Sequence, residues 1–289
     1  MLYVPYGPGF QLILHGPAAA RPAAAYGLSV TPGASNVKGS YAQLISGASL
    51  TDDVYFIEIT IHSNASSAAA RATILDIGYD PAGGTSYSVL IADLLCSSAC
   101  ITLANREGAI GYRYRFPLFI KSGTSLGARA AVNNATAGTL RCYVKLFCKP
   151  KHPEACKTGS FVESIGVTAA TSQGTAVTSG TTSEGAWTSL GTTTQPTWWH
   201  QLGVSIDEDI MTGNLGFFAD LSAGAAGGEI LLVNDATFCT NANIEGAWLP
   251  DQYCLGGEIV GSSTIWGRLQ CSGTPDDGPL SMTAYCLGG

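Results

Sequence analysis

Charge is scarce in this chain of 289 residues: 12% are Asp, Glu, Lys or Arg, and the 14 basic residues are dispersed. A formal net charge of −7 with no basic stripe leaves no electrostatic footprint for a phosphate backbone, so nucleic acid is not an expected partner. No run of 18 apolar residues exists, which removes a spanning helix, and a membrane is not expected as a partner either. The start, MLYVPYGPGFQLILHG, lacks a basic stretch and is broken by Pro5, Gly7, Pro8 and Gly9, so no secretory leader is expected and synthesis in a cytoplasm is. Helix signals are nearly missing too. The best, SSAAARATI from Ser66, reads equally well as a loop entering a strand.

Gly, Ala, Ser and Thr abound, and the hydrophobic fraction is 46%, enough for a real core. The chain also repeats itself. ANREGAI (Ala104 to Ile110) recurs as ANIEGAW (Ala242 to Trp248), 138 residues on. The same offset relates Gly123 to Gly261 and Cys148 to Cys286, and small adjustments set Arg129 opposite Arg268, Cys100 opposite Cys239 and the DPAGG near Asp80 opposite DLSAGAAGG near Asp220. Trp187 aligns with Tyr41. Short apolar or alternating runs such as VYFIEITIH, YSVLIADLL, RCYVKLFC, NLGFFADL, EILLVND and SMTAYC lie between turn-forming residues. The expected fold is all-β, with two tandem, internally duplicated sandwiches of jelly-roll type. Their bounds are 36–149 and 180–289, with an extended arm over 1–35 and a linker over 150–179 marked by Pro150 and Pro153. Neighbouring subunits are expected to hold the arm.

Chemistry-bearing patterns are few. GTSLG at Gly123 matches the G-x-S-x-G of serine hydrolases, but that motif needs a strand before it, a helix after it and an acid and a histidine beyond. His152 and His200 are the histidines that follow, neither in a recognisable setting, and the repeat partner has lost the motif, so Ser125 reads as a turn entering a strand. Cys142, Cys148, His152 and Cys156 lie close in sequence without the paired spacing of a zinc site. DEDIMTGN from Asp207 lacks the glycine and glutamate positions of a calcium loop and reads as a solvated turn. Asn64 and Asn134 head glycosylation-like triplets read as surface turns, and Glu107 and Glu245 read as turn residues. Neither metal, cofactor nor catalytic residue is assigned, and an enzyme is not expected.

Nine cysteines, Cys96, Cys100, Cys142, Cys148, Cys156, Cys239, Cys254, Cys271 and Cys286, are candidates for cross-links within or between chains, formed after release into an oxidising medium. All five tryptophans lie in the second copy, while ten of twelve tyrosines lie at or before Tyr143. Trp198 and Trp199 are the candidate interface aromatics, with a sugar-stacking platform as the competing reading.

The segments DIGYDPAGGTSYSVLIADLL (Asp76 to Leu95), RFPLFIKSGTSLGARAAV (Arg115 to Val132) and FVESIGV (Phe161 to Val167) resemble β-sandwich virion proteins of tailed bacteriophages. The resemblance implies a virion structural component assembled in the host cytoplasm without fixing its position in the particle; the lack of a catalytic constellation, the arm, the acidic surface and cysteines that could lock contacts make a capsid decoration or capsid-linking protein the first reading. It would partner the major capsid protein or neck and tail proteins and be a homo-oligomer. A collar, neck or baseplate component is the alternative, and a receptor- or glycan-binding module a further one.

Overall fold

The computed structural model describes residues 11–15, 27–63, 72–97, 112–133, 140–149, 157–167, 169, 174–181, 183–205, 215–240, 247–248, 253–254, 258–273 and 280–289. The first half contributes β1 (Gln11–His15), β2 (Leu28–Val30), β3 (Ala42–Ile45), β4 (Val54–Ser63), β5 (Ala72–Asp80), β6 (Ser88–Ser97), β7 (Tyr112–Phe116), β8 (Ser125–Val132) and β9 (Leu140–Cys148). The middle holds β10 (Phe161–Ile165), β11 (Thr175–Val177) and β12 (Ser179–Gly180). The rest is β13 (Thr188–Thr192), β14 (Thr197–Ser205), β15 (Leu215–Ala223), β16 (Ile230–Thr240), β17 (Ala247–Trp248), β18 (Tyr253–Cys254), β19 (Thr264–Cys271) and β20 (Leu280–Gly288). A single 3-10 turn at Gly47–Ser49 is the helical exception among the described residues, and no described helix is long and apolar enough to cross a membrane. The fold is all-β, and each strand read from an apolar run is present. Ala72 to Ile74, at the end of the candidate helix SSAAARATI, belongs to β5.

The duplication is legible strand by strand. β5 lies between β6 and β8, and β15 between β16 and β19. β4 pairs β9 as β14 pairs β20, while β3 runs beside β8 as β13 does beside β19. β1 and β2 line β9 as β10 and β11 line β20. Residues 11–15 and 28–30 are therefore strands of the first sandwich, held by its own β9, and the extended-arm expectation is corrected for them. The region read as a linker is likewise structural, since it supplies β10, β11 and β12.

Register also corrects the equivalences read from sequence. Gly123 (φ 83) and Ser262 (φ 63) occupy the same turn, donating their N–H groups to Leu50 and Thr193, so Ser262 rather than Gly261 answers Gly123. Val54 faces Cys148 where Thr197 faces Gly288, and Ile57 faces Leu146 where His200 faces Cys286, so Cys148 and Cys286 are not equivalent.

The sheets stack in three layers. Five strands ordered β1-β9-β4-β7, with β2 against β9, form one outer sheet; β12-β19-β15-β16, with β13 against β19, form the other. Between them runs a ten-stranded sheet, β17-β14-β20-β10-β6-β5-β8-β3, with β11 and β18 at its side. It crosses from one copy to the other at β10, which is antiparallel to β20 and parallel to β6. Because β14 and β20 lie in this middle layer, all nine residues of each are buried. Trp198, Trp199, Tyr285 and Leu287 join the core of the first sandwich; Leu202, Val204, Met282, Ala284 and Cys286 join that of the second.

Tyr285 is the polar pin of the junction. Its hydroxyl accepts the Leu95 N–H at 2.9 Å and donates to the Asp93 carbonyl at 3.1 Å, and its ring meets Tyr114 edge-on at 5.2 Å. Tyr285→Ala is expected to cost about 3–5 kcal/mol, and Tyr285→Phe about 1–3 kcal/mol by leaving the Leu95 N–H unpaired, in denaturant titrations. A value near zero for both would show the junction to be dispensable.

Candidate functional site

Each sandwich carries the same ionic cluster on the sheet that contains β5 or β15. In the first, Asp76 on β5 receives Arg129 Nε from β8 at 2.9 Å. Across the pair β5–β6, Leu75 faces Leu94 and Ile77 faces Ile91, so Ala92 and Asp93 together oppose Asp76 in a β-bulge. Asp93 takes a positive φ of 54°, which turns its N–H onto Asp76 Oδ1 at 3.0 Å. Tyr41 covers the Arg129 guanidinium at 4.7 Å.

The second copy repeats this part for part. Asp220 receives Arg268 Nε at 2.7 Å and the Asp235 N–H at 2.6 Å, Asp235 has φ 52°, and Trp187 covers Arg268 at 4.3 Å. The pairing of Arg129 with Arg268 and of Tyr41 with Trp187 holds, whereas Asp220 answers Asp76 rather than Asp80. Asp80 instead binds the backbone of its own turn, accepting N–H bonds from Ala82 and Ser86 at 2.9 Å each.

One position breaks the symmetry. Lys38, three residues before Tyr41, sends its ammonium to Asp76 Oδ1 at 2.5 Å and Asp93 Oδ1 at 2.8 Å. Three residues before Trp187 stands Glu184, ion-paired with Arg268. Glu184, Asp220 and Asp235 thereby offer three carboxylate oxygens within 4.8 Å of one another. Sequence reading missed both clusters, because the partners come from strands far apart along the chain. The preserved Asp, Arg and aromatic positions were the available signal.

The other candidates separate. Ser125 is fully buried at the start of β8, so its motif leads into a strand rather than a helix, and its Oγ accepts the Gly47 N–H at 2.8 Å. Trp198 and Trp199 are 7% and 5% exposed, which buries them between the sandwiches and denies them to a sugar. A bulge between Thr197 and Trp199 lets two adjacent tryptophans join one core, and Lys157 covers the Trp198 ring at 4.5 Å. The interface they serve lies within the chain.

Cys96, Cys142, Cys148, Cys271 and Cys286 are buried and form no disulfide. The cross-link expectation is corrected for these five, because a buried thiol has no access to another chain. Burial pushes Cys142 up to about 12 and Cys148 up to about 11, and raises Cys96, Cys271 and Cys286 as well, which suppresses the reactive thiolate. Cys239 and Cys254 lie on β16 and β18. Cys100, Cys156, His152, Asn64, Asn134, Glu107, Glu245 and the Asp207 to Asn214 turn lie outside the described residues.

Alkylation of the native protein followed by peptide mass spectrometry is expected to spare those five thiols and to modify them after unfolding; native labelling at Cys148 or Cys286 would contradict their burial. His200 supplies a pH test. It is fully buried, its Nε2 lies 2.9 Å from Thr197 Oγ, and burial pushes its pKa down to about 4. The neutral form is the one folded, so its contribution is intact above the unfolded pKa near 6.5 and is lost as pH falls through 4. Chemical denaturation is expected to show roughly 3 kcal/mol lost across that window, with His200→Gln flattening the slope.

No family model matches the chain, and no curated protein matches its sequence. Among solved structures, the N-terminal CBM22-1-CBM22-2 tandem domain of Paenibacillus barcinonensis Xyn10C aligns at 11% identity over 97% of this chain and 94% of that one, with a TM-score of 0.28. Tripeptidyl peptidase 2 aligns at 9% identity over 97% of this chain and 23% of that one, with a TM-score of 0.26. Neither score reaches the level of a shared fold.

Proposed function

We propose that this chain is a non-enzymatic structural component of a tailed-phage particle, a capsid decoration or capsid-linking protein that works as a homo-oligomer on the assembled shell. The observation that carries the reading is the construction of a stiff block with an exposed sheet edge. One ten-stranded sheet runs through both sandwiches, and the polar side chains inside it bind strands and turns together. At the outer limit of the β12-β19-β15-β16 sheet lies β16, 11 residues long and opening with Ile230 and Leu231, 62% and 44% exposed; Phe218 on neighbouring β15 is 44% exposed. Among the described residues β16 pairs only with β15, and an edge of that kind with apolar side chains invites pairing with another chain, which a structural subunit uses for contact.

The same block serves a collar, neck or baseplate position equally well. The receptor- or glycan-binding reading loses two of its five tryptophans, because Trp198 and Trp199 are enclosed while Trp187 and Trp266 are half-buried.

The test is to add purified chain to particles lacking it, and to locate bound copies by cryo-electron microscopy. Regular occupancy of the capsid lattice is expected, with the double change Ile230→Asp and Leu231→Asp abolishing attachment at unchanged Tm. Rings at the neck or tail would move the chain to the alternative position, and absence from native particles would end the virion reading.

A further inference from the structure

We propose that copies of this chain join head to tail, with β16 of one copy pairing in parallel with β1 of the next, as β6 pairs with β10 inside each copy. This contact rests on the reading of β16 as a subunit edge and names its occupant, a second copy. The internal joint is heterologous: β10, the leading strand of the second sandwich, meets the edge strand β6 of the first, with Val162 opposite Ile91. Duplication puts the same two parts at the ends of the molecule. β16 is the counterpart of β6, because each flanks the strand that carries the clustered aspartate. β1 is the counterpart of β10, because Leu12 faces Phe147 and Leu14 faces Lys145 where Val162 faces Leu287 and Ser164 faces Tyr285. Among the described residues β16 pairs only with β15 and β1 only with β9, so each has an edge to offer. In the register of the internal joint, Leu12 lies opposite Val233, the counterpart of Ile91.

Burial at equivalent positions points the same way. Ile74 and Leu95 face each other across β5 and β6 and are 4% and 0% exposed, and the Leu95 N–H bonds Tyr285 of the second sandwich. Their counterparts Phe218 and Thr237 face each other across β15 and β16, with Phe218 44% exposed and Thr237 exposed as well. Positions covered in the first sandwich stand open in the second.

Charge decides which copy-to-copy contact is favoured. At the internal joint neutral meets neutral: Lys38 and Arg129 offset Asp76 and Asp93, and Gln201 and Tyr285 carry no charge. At the ends of the molecule the counterparts are charged with opposite sign. Among the described residues, Lys145, Arg115 and Arg113 surround Glu58, which leaves two positive charges, and Arg268 stands with Glu184, Asp220 and Asp235, which leaves two negative ones. Tyr285 donates its hydroxyl to the Asp93 carbonyl; its counterpart is Lys145 and that of Asp93 is Asp235, so the same docking carries the Lys145 ammonium to Asp235. Pairing β16 with β16 would instead bring two negative clusters together.

Sedimentation velocity of the full chain, without particles, is expected to show concentration-dependent species beyond a dimer, because a heterologous contact repeats until it closes into a ring or extends. Carbodiimide coupling of mixed isotopically light and heavy copies is expected to give a Lys145–Asp235 cross-link with one arm of each isotope. Thr237→Lys sets a cation on the exposed edge and is expected to weaken association about tenfold at unchanged Tm, whereas Thr237→Leu, which copies Leu95, retains it. A chain that stays monomeric at millimolar concentration, a dimer that stops at two with cross-links between β16 and β16, or a folded Thr237→Lys variant that associates like the parent would overturn head-to-tail pairing. Absence from native particles with this association intact would end the virion reading alone, and lattice occupancy by a chain that never self-associates would end this one alone.

Discussion

Strand β10 is hydrogen-bonded along both edges, to β20 of the second sandwich and to β6 of the first, and the arrangement of the molecule follows from that double pairing. Once β10 joins the two, β20 and β14 become interior strands of a middle layer, and each of their faces must suit a different core. Side chains of β10 reinforce the joint: Ser164 donates to the Ala92 carbonyl at the bulge of β6, and Glu163 accepts from the N–H and hydroxyl of Thr194. The bulge that interrupts β5–β6 pairing therefore serves both the ionic cluster behind it and the strand beside it.

Comparison of the copies shows what docking demanded of the sequence. On the first sandwich, Glu58 and Lys145 face each other across β4 and β9, bonded at 2.6 Å, with Arg115 at 3.0 Å. The corresponding pair in the second is Gln201 and Tyr285. An ion pair at that junction would lose its hydration and regain only part of it from its partner. The tyrosine hydroxyl recovers its hydration by bonding the Leu95 N–H and the Asp93 carbonyl of β6, while the buried Gln201 amide carries no charge to desolvate but finds no partner among the described residues. Where the outer sheet of the first sandwich carries Glu58, Lys145 and Arg115, the middle sheet carries Gln201 and Tyr285.

Much of this was legible in the sequence, since alternating apolar runs marked the strands and a repeated heptapeptide exposed the duplication. Its finer alignment failed because the loops differ in length between copies. The offset between equivalents shrinks from Tyr41 and Trp187 to Asp76 and Asp220 and again to Arg129 and Arg268, so a constant offset mismatched Cys148 with Cys286, and likeness of turns alone mismatched Asp80 with Asp220. β10 was hidden for another reason. A five-residue strand, FVESI, between Pro-rich and Thr-rich stretches carries no clear alternation, and what makes it a strand is the two edges waiting for it. The ionic clusters were invisible for the same reason, being assembled from residues that only sheet pairing brings together. The cysteines misled by their number; burial, rather than pairing, is the role of the five described thiols.

The placement of Tyr285 and Leu287 in the first core has a consequence for how the chain matures. The first sandwich cannot complete its interior from its own residues. It waits for Trp198 and Trp199 on β14, and then for Tyr285 and Leu287 on β20. During synthesis the amino-terminal half therefore leaves the ribosome with an open flank, and closing it requires contacts of very high sequence separation, the slow kind to form. β20, which follows every other described strand of both sandwiches, is the one that seals the first.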